Sequence, residues 1–597
     1  MSNYEVVVGI DFGSSGAGFA YSYFDKNKII HGQIYGASVD YKVPTEVILD
    51  DDNYIIQFGG GCSKFLKEKG LEIGHYFKGI KMLLYENKNT IVAQNSGKEL
   101  PLKLVIQKIL EKIKELAIKE IAKNRPHLER ETEKIKWVVT VPAIWDEHQK
   151  SVMMESCIGA GLINENTDRS LFFALEPEAA SLYCSINKEV DQNYFKTGEY
   201  YIVCDLGGGT GDIVAHLVGS NNNLNEISPS CGGNFGSNEI DKKIYKDIIS
   251  KLFGCQDFNT FYLKYKEKNG NNNDGNEDDN KGELFKDWLE IEREIKDFKE
   301  GATNDIIEKN EKYTINFSLF QDIFEDDIDI SDLVKAYNDN IYDDNLLLSN
   351  KKNKKKWIVE LPYKIIFNYM KEQANSICKI INEINSKEEI KTIIFVGGYC
   401  YNEILIQLIK NGLNKITTYL QPSNPSLAIM EGAVLFGIEP STINVRKAKY
   451  TIGVKYDMEW NDEKYSEKGK KYFNEEKQKF YCKDCFCKFI EINQSLKYGE
   501  EISHISSIIS RNKIYNKKSF VILKFYKTKK SNPIFISEEG IIEIGECRLE
   551  LEKIWEENDI YKERKIKIIM KFGGTYFNVT AMHLKSGKTV KINLTFD

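Results

Sequence analysis

The chain has 597 residues and a formal net charge of −7, from 82 Lys and Arg against 89 Asp and Glu. At roughly 150 residues per domain a single small core is excluded, and there is no global positive excess to release counterions from a nucleic-acid backbone. Hydrophobic residues make up 42%, aromatics 12% and charged residues 29%, which excludes a disordered chain.

The start, Met1-Ser2-Asn3-Tyr4-Glu5, lacks the basic and apolar regions of a secretory signal. No later run reaches the ~20 uninterrupted apolar residues of a membrane-spanning helix, so a cytoplasmic protein with no membrane span is expected. Residues 5–10 are an apolar run ending in Asp11, followed by Gly13-Ser14-Ser15-Gly16-Ala17-Gly18 and Phe19-Ala20-Tyr21. That order reads strand, tight turn, strand. Over 102–121 the apolar residues Leu102, Val105, Ile106, Ile109, Leu110, Ile113, Leu116 and Ala117 recur at helical spacing, predicting an amphipathic helix. A buried strand, Trp137-Val138-Val139-Thr140-Val141, stops at Pro142, and a helix is predicted from Asp146 onward.

From Asp11 to Asp205, 194 positions downstream, the first pattern returns: Tyr201-Ile202-Val203-Cys204-Asp205, then Leu206-Gly207-Gly208-Gly209-Thr210-Gly211-Asp212. The polar stretch 269–280 can bury nothing and reads as a mobile surface insertion. The basic run 351–356 reads as a solvated loop in preference to an anionic contact. A third turn, Gly397-Gly398-Tyr399, follows the strand Thr392-Ile393-Ile394-Phe395-Val396 and leads into a helix around 403–408. A boundary falls near 438–450, and beyond it the period switches to alternation. Phe577, Val579 and Ala581, then a Lys585-Ser586-Gly587-Lys588 turn, then Val590, Ile592, Leu594 and Phe596 predict a β-hairpin with one buried face.

Turns built of Gly and small hydroxyl residues let backbone N–H groups converge on phosphate oxygens. An Asp at the end of each strand would repel those anions, so its sensible role is to hold the hydration shell of a bridging Mg²⁺. Neither turn is a Walker A loop, because no Gly-Lys-Ser/Thr follows. One such turn is ordinary; two with an Asp at matched offsets point to a polyphosphate site. Backbone exposed at Gly397-Gly398 can then lie flat against a nucleobase and ribose.

With these features in place the chain resembles the actin and heat-shock-70 ATPase superfamily, and specifically its heat-shock-70 side. Val8-Gly9-Ile10-Asp11-Phe12-Gly13-Ser14-Ser15 is similar to the first phosphate motif and Asp205-Leu206-Gly207-Gly208-Gly209-Thr210-Gly211-Asp212 to the second. Val139-Thr140-Val141-Pro142-Ala143 and Leu175-Glu176-Pro177-Glu178-Ala179-Ala180 resemble the connecting motifs. Val396-Gly397-Gly398, Asn424-Pro425-Ser426 and Glu431-Gly432-Ala433 resemble the adenosine region. Within the family the likeness is greatest to its atypical twelfth branch, through Tyr76-Phe77-Lys78-Gly79-Ile80-Lys81-Met82, Tyr399, Gly432-Ala433-Val434-Leu435-Phe436-Gly437 and Lys571-Phe572-Gly573-Gly574-Thr575.

The resemblance implies an α/β fold: a two-lobed ATPase domain, 1–190 and 191–438, a linker at 439–450 and a β-sandwich-like domain over 451–597 without an α-helical lid. It implies ATP or ADP with Mg²⁺ as cofactors, Asp11 and Asp205 holding the metal through water, and Asp212 supporting them. Glu176 would position or deprotonate the attacking water, and Lys81, or else Lys78, would meet the γ-phosphate. Gly13, Ser14, Ser15, Gly16, Gly207, Gly208, Gly209 and Thr210 would bind phosphate. Gly236, Ser237, Lys296, Gly397, Gly398, Tyr399 and Ser426 would also bind the nucleotide. Tyr401 stands where the family commonly stacks an Arg on adenine, Asp297 replaces another Arg, and the leucine-rich linker of ordinary members is absent.

The twelve cysteines stand mostly singly in apolar segments, as suits reduced thiols. Cys482, Cys485 and Cys487 have a C-x-x-C-x-C spacing, but with no fourth ligand nearby zinc is not the preferred reading. The expected function is slow ATP hydrolysis coupled to a polypeptide client or protein partner, with co-chaperones as further partners and no nucleic acid. The alternatives are a nucleotide-dependent scaffold with little hydrolysis and, less favoured, a sugar kinase on the same fold.

Overall fold

The computed structural model describes residues 4–593 except 26–27, 33, 36–38, 70–73, 164–170, 188–189, 270–276, 326–327, 352–355, 387, 466–469, 476–477, 508–519, 551–564 and 572–577. Two sheets with the same strand order organise the first three quarters of the chain. In the first the order is Leu171–Leu175, Ile135–Val141, Val6–Phe12, Ala17–Tyr23, Ile30–His31. The first three strands run parallel, and Val6–Phe12 pairs antiparallel with Ala17–Tyr23. In the second the order is Thr418–Leu420, Thr392–Val396, Tyr200–Leu206, Gly211–Val218, Leu224–Gly233, with the same parallel and antiparallel senses. Even the turns close alike: Gly13 N–H donates to Gly16 O at 3.1 Å and Gly207 N–H to Thr210 O at 3.0 Å. The central strands are buried along their whole length, and mostly apolar, because both faces are covered.

Helices Glu176–Ile186 and Ala428–Ile438 share one core with Val7 and Val138 of the first sheet and Val203, Val214 and Ile394 of the second. The helices touch at backbone distance, since a Cβ built on Gly432 would lie 1.7 Å from Ala179 O. Gly432→Ala is therefore expected to cost about 1–3 kcal/mol through forced separation of the helices, read as a lowered urea midpoint. An unchanged midpoint would mean that the helices do not pack this closely. The outer face of the first sheet shares a core with helix Leu102–Ala122, and that of the second with Glu277–Glu300, Lys364–Asn385 and Glu403–Gly412.

Beyond Thr442 every regular element among the described residues is a strand. One antiparallel sheet has the order Lys471–Asn474, Lys479–Ile490, Thr451–Glu459, Phe520–Thr528, Ile542–Glu550, and another Glu501–Ser507, Lys565–Lys571, Asn578–His583, Thr589–Asn593. Both contribute to one core, with Ile452, Phe525 and Ile544 from the first and Ile566, Ile568 and Val579 from the second. No helix among the described residues is long and apolar enough to cross a membrane.

The helix predicted after Asp146 is Glu147–Gly159, opened by a capping box between Asp146 and Gln149. The C-terminal hairpin forms as Asn578–His583 and Thr589–Asn593, while Phe577, Leu594 and Phe596 lie outside the described residues. The polar stretch 269–280 differs from its expectation at both ends. Asn269 closes helix Phe258–Asn269, and 277–280 begin helix Glu277–Glu300, because the long amphipathic pattern that follows extends the helix backwards; 270–276 lie outside the described residues. Of the basic run, 352–355 likewise lie outside, and Lys351 pairs with Glu360 at 3.5 Å. Within the expected linker, Ile443–Lys447 is a strand that pairs parallel with Leu224–Gly233 and antiparallel with Ser495–Lys497. The second sheet thereby extends into the C-terminal region.

Candidate functional site

Each hairpin delivers its aspartate from the penultimate position of a strand, Asp11 in Val6–Phe12 and Asp205 in Tyr200–Leu206, with Asp212 directly opposite Asp205. Glu176 opens helix Glu176–Ile186 immediately after strand Leu171–Leu175, and Pro177 fixes the first turn. Relative exposures are 1% for Asp11, 5% for Glu176, 3% for Asp205 and 0% for Asp212. Burial pushes Glu176 up to about 7, with Lys81 opposing and Asp11 and Asp212 adding to the rise. Burial also raises Asp205 well above the carboxylate range, reinforced by Glu176, Asp212 and Asp11 and opposed by Lys42. The four carboxylates thus lie within electrostatic reach of one another.

Two ammonium groups meet them, one buried and one partly exposed. Lys81, from helix Ile80–Tyr85, is ion-paired with Glu176 Oε1, whereas Lys78 pairs with Glu292. Lys42 is ion-paired with Asp11 Oδ2, and Asp11 Oδ1 accepts from the Thr140 hydroxyl at 3.3 Å. Asp212 Oδ1 accepts from Ile144 N–H at 3.0 Å. Asp11 Oδ2, Asp205 Oδ1 and Asp212 Oδ2 are buried without a hydrogen-bond donor among the described residues. Bare oxygens on carboxyl groups whose ionised form burial disfavours fit a hydrated divalent cation, whose charge would favour that ionised form.

The two turns meet face to face. A Cβ on Gly208 would lie 1.8 Å from Ser15 Oγ, and one on Gly209 would lie 2.3 Å from Ser14 Oγ. The segment holding Gly236 and Ser237 crosses the second turn, with Ser237 N–H donating to Gly207 O at 3.3 Å and Asn238 N–H to Gly208 O at 2.8 Å. The third turn joins them at Gly397, whose φ of 87° and position 2.5 Å from Asp205 Oδ1, measured from a built Cβ, admit only glycine. Tyr399 donates to Gln373 Oε1 at 3.0 Å, and Gln373 donates to Gly236 O at 3.1 Å.

Other predicted residues stand further off. Lys296 is exposed and lies 3.8 Å from Glu300; the buried lysine of that helix is Lys299, bonded to Asp241 at 2.6 Å and Ser237 O at 3.4 Å. Tyr401 is 54% exposed, and Ser426 is half-buried next to Pro425, whose carbonyl accepts from Gly397 N–H at 3.0 Å. Sequence reasoning also missed Lys42, Gln373, Arg446 and Lys449. Thr140 carried a signal, as a polar residue inside an apolar strand; Lys42 carried none.

A buried ionic layer lies behind the carboxylates. Arg446, on strand Ile443–Lys447, grips Glu178 with Nε to Oε1 at 2.7 Å and Nη2 to Oε2 at 2.8 Å. Glu226 accepts from Ser230 N–H and Lys447 N–H, each at 2.7 Å, and Lys449 donates to Ala143 O. Burial and then Glu178 raise Glu226 to about 7 from an ordinary 4.5. A carboxyl raised in the folded state stabilises most below its unfolded value and loses that contribution as pH climbs through the folded one. Relative to Glu226→Gln, the natural protein should therefore lose stability between about pH 5 and pH 7.5, by at most about 3 kcal/mol, read from urea midpoints. Parallel pH profiles for the two proteins would contradict this.

Cys482 and Cys485 pack with Tyr465 and Phe535, while Cys487 Sγ lies 3.8 Å from His504 Nε2. Among the described residues the group of ligands close enough for a metal is Glu5, His127 and Glu131, and there Glu5 is already held by Arg125 at 3.1 Å and Lys134 at 3.0 Å.

No family model matches the chain. It is similar to heat shock 70 kDa protein 12A of Mus musculus, 25% identical over 660 residues that cover 99% of this chain and 91% of that protein. It is also similar to heat shock 70 kDa protein 12B of Homo sapiens, 23% identical over 675 residues, covering 100% and 91%. A shorter stretch of 117 residues is 34% identical to chaperone protein dnaK1 of Prochlorococcus marinus, covering 19% of this chain and 15% of that protein.

Proposed function

We propose that this chain, which stands with the twelfth branch of the heat-shock 70 family, binds ATP with Mg²⁺, hydrolyses it slowly and lets the nucleotide state govern how its β region holds a polypeptide. The nucleotide lies between two actin-like lobes, 1–190 and 191–438, and the β region is 451–597. The observation that carries this reading is the convergence of Asp11, Glu176, Asp205, Asp212 and Lys81 beneath two opposed turns of matching construction.

Backbone N–H groups of both turns, with the hydroxyls of Ser14, Ser15 and Thr210, grip phosphate oxygens. Asp11, Asp205 and Asp212 are the residues that would hold Mg²⁺, which would supply positive charge against the polyphosphate. Glu176, raised to about 7, accepts a proton from the attacking water near neutral pH. Lys81 fixes Glu176 and sets a cation beside the charge that develops on the phosphoryl group. Tyr399, anchored by Gln373, backs the nucleoside wall of Gly397, Gly398, Gly236 and Ser237.

Coupling runs through 443–449. Arg446 holds Glu178, two residues beyond Glu176 in the same helix, and Lys449 holds Ala143 O, next to the Ile144 N–H that fixes Asp212. Movement of this segment pulls on both flanks of the carboxylate floor. A partner strand could add to the edge strands Lys471–Asn474 or Ile542–Glu550. The setting is the cytoplasm, with co-chaperones as further partners.

Calorimetry with ATP and Mg²⁺, followed by single-turnover hydrolysis, tests the reading; absence of ATP uptake would overturn it. A scaffold that binds ATP but barely turns it over is favoured by one observation, the ion pair of Lys81 with Glu176, which occupies the base. Uptake without turnover would select that second reading.

A further inference from the structure

The residue that the nucleotide site contains beyond its expected parts is Lys42. Its ammonium is on Asp11 Oδ2, in a place where the side chain of Asp11 is 2% exposed and that of Lys42 is 22% exposed. The lysine is delivered by backbone, not by a mobile loop. Lys42–Val43 is a short strand that pairs antiparallel with Ala17–Gly18, the strand returning from the first phosphate turn. Gly18 makes the close approach feasible, because a Cβ there would lie 2.3 Å from Tyr41 O and 3.0 Å from Lys42 Cγ. Three residues on, the Thr45 hydroxyl donates to Gly13 O at 2.6 Å, so the segment is pinned to the turn on both sides of the lysine. Lys42 also opposes the upward shift of Asp205, so its charge reaches the second strand-end aspartate as well.

This placement divides the carboxylates unequally. Asp11 Oδ2, Asp205 Oδ1 and Asp212 Oδ2 all lack a hydrogen-bond donor among the described residues, but of the three it is Asp11 Oδ2 that faces an ammonium, as an ion pair with Lys42, while Asp11 Oδ1 accepts from Thr140. An ammonium already seated on Asp11 repels a second cation at that oxygen and meets the charge demand that a divalent ion would otherwise meet there. We infer that Lys42 is a built-in cation of the nucleotide site, which takes over the Asp11 side of the metal's electrostatic role and makes ATP binding tolerant of Mg²⁺ removal. Asp205 and Asp212 remain the side that a divalent ion would serve. The inference rests on the nucleotide-binding reading above, and its experiment separates the two.

ATP affinity is measured by calorimetry on the full chain, once with Mg²⁺ and once with EDTA, for the natural protein, Lys42→Met and Lys42→Arg. Failure of the natural protein to bind ATP with Mg²⁺ removes the nucleotide-binding reading itself. If it binds, the natural protein should weaken by no more than about tenfold in EDTA, and Lys42→Met by about a hundredfold or more, since one partly buried charge interaction at close range is worth at least about a decade of affinity. Lys42→Arg, which keeps the charge, should follow the natural protein. Equal Mg²⁺ dependence in Lys42→Met and the natural protein overturns the inference. So does a natural protein that loses about a hundredfold or more in EDTA, a result that decides the matter even if Lys42→Met does not fold.

Discussion

Glu176→Gln is expected to lower the single-turnover rate of ATP hydrolysis by about 10²–10⁴-fold while leaving ATP affinity within about threefold. The amide keeps the size of the side chain and the turn set by Pro177, but it cannot take a proton from water. It also leaves Lys81 facing a neutral group, so part of the lost rate comes from a lysine no longer fixed by its partner. Because Glu176 is raised to about 7, mainly by burial, the natural rate should climb with pH through that value and level off above it as the base deprotonates. Equal rates for variant and natural protein would remove the hydrolytic role of Glu176 and leave the scaffold reading. A binding loss far larger than threefold would make Glu176 part of the ligand shell instead.

Arg446→Met should be among the most destabilising single changes outside the hydrophobic cores. It strips a two-point guanidinium partner from Glu178, which is 1% exposed and lies beside Glu226, and uncompensated buried charges of this kind cost about 3–5 kcal/mol. The urea midpoint should fall accordingly. Adding Glu178→Gln should recover much of the loss, because the penalty comes from the stranded carboxylate more than from the missing pair. The same variant should disconnect the β region from the nucleotide. Limited proteolysis within 451–597 should respond to ATP in the natural protein and cease to respond in Arg446→Met. A midpoint equal to that of the natural protein, with the ATP response retained, would place the coupling elsewhere.

The parts of the site that were legible in the sequence are those written within a few consecutive residues. An apolar run, an Asp and a Gly/Ser/Thr turn fix a strand and a hairpin by local sterics and backbone hydrogen bonding, so Asp11 and Asp205 could be named together with their turns. The amphipathic helix Leu102–Ala122 and the alternating C-terminal strands were legible for the same reason, because their periods reflect which face is buried. Repetition of the motif after 194 residues announced a duplicated unit, and the two sheets share one strand order.

Which charges meet at the floor of the site was decided only by tertiary structure. Lys78 and Lys81 lie in one short motif and are equivalent as sequence, yet one faces Glu292 and the other Glu176, 95 positions away. Arg446 finds Glu178 across 268 positions from a segment that reads as an ordinary polar connection. Lys42 reaches Asp11 because its strand joins the returning arm of the first hairpin, a pairing that no periodicity marks. Local geometry repeats along the chain and so leaves a pattern, whereas a buried charge needs only one opposite partner brought close by folding, and a single contact has no period to read.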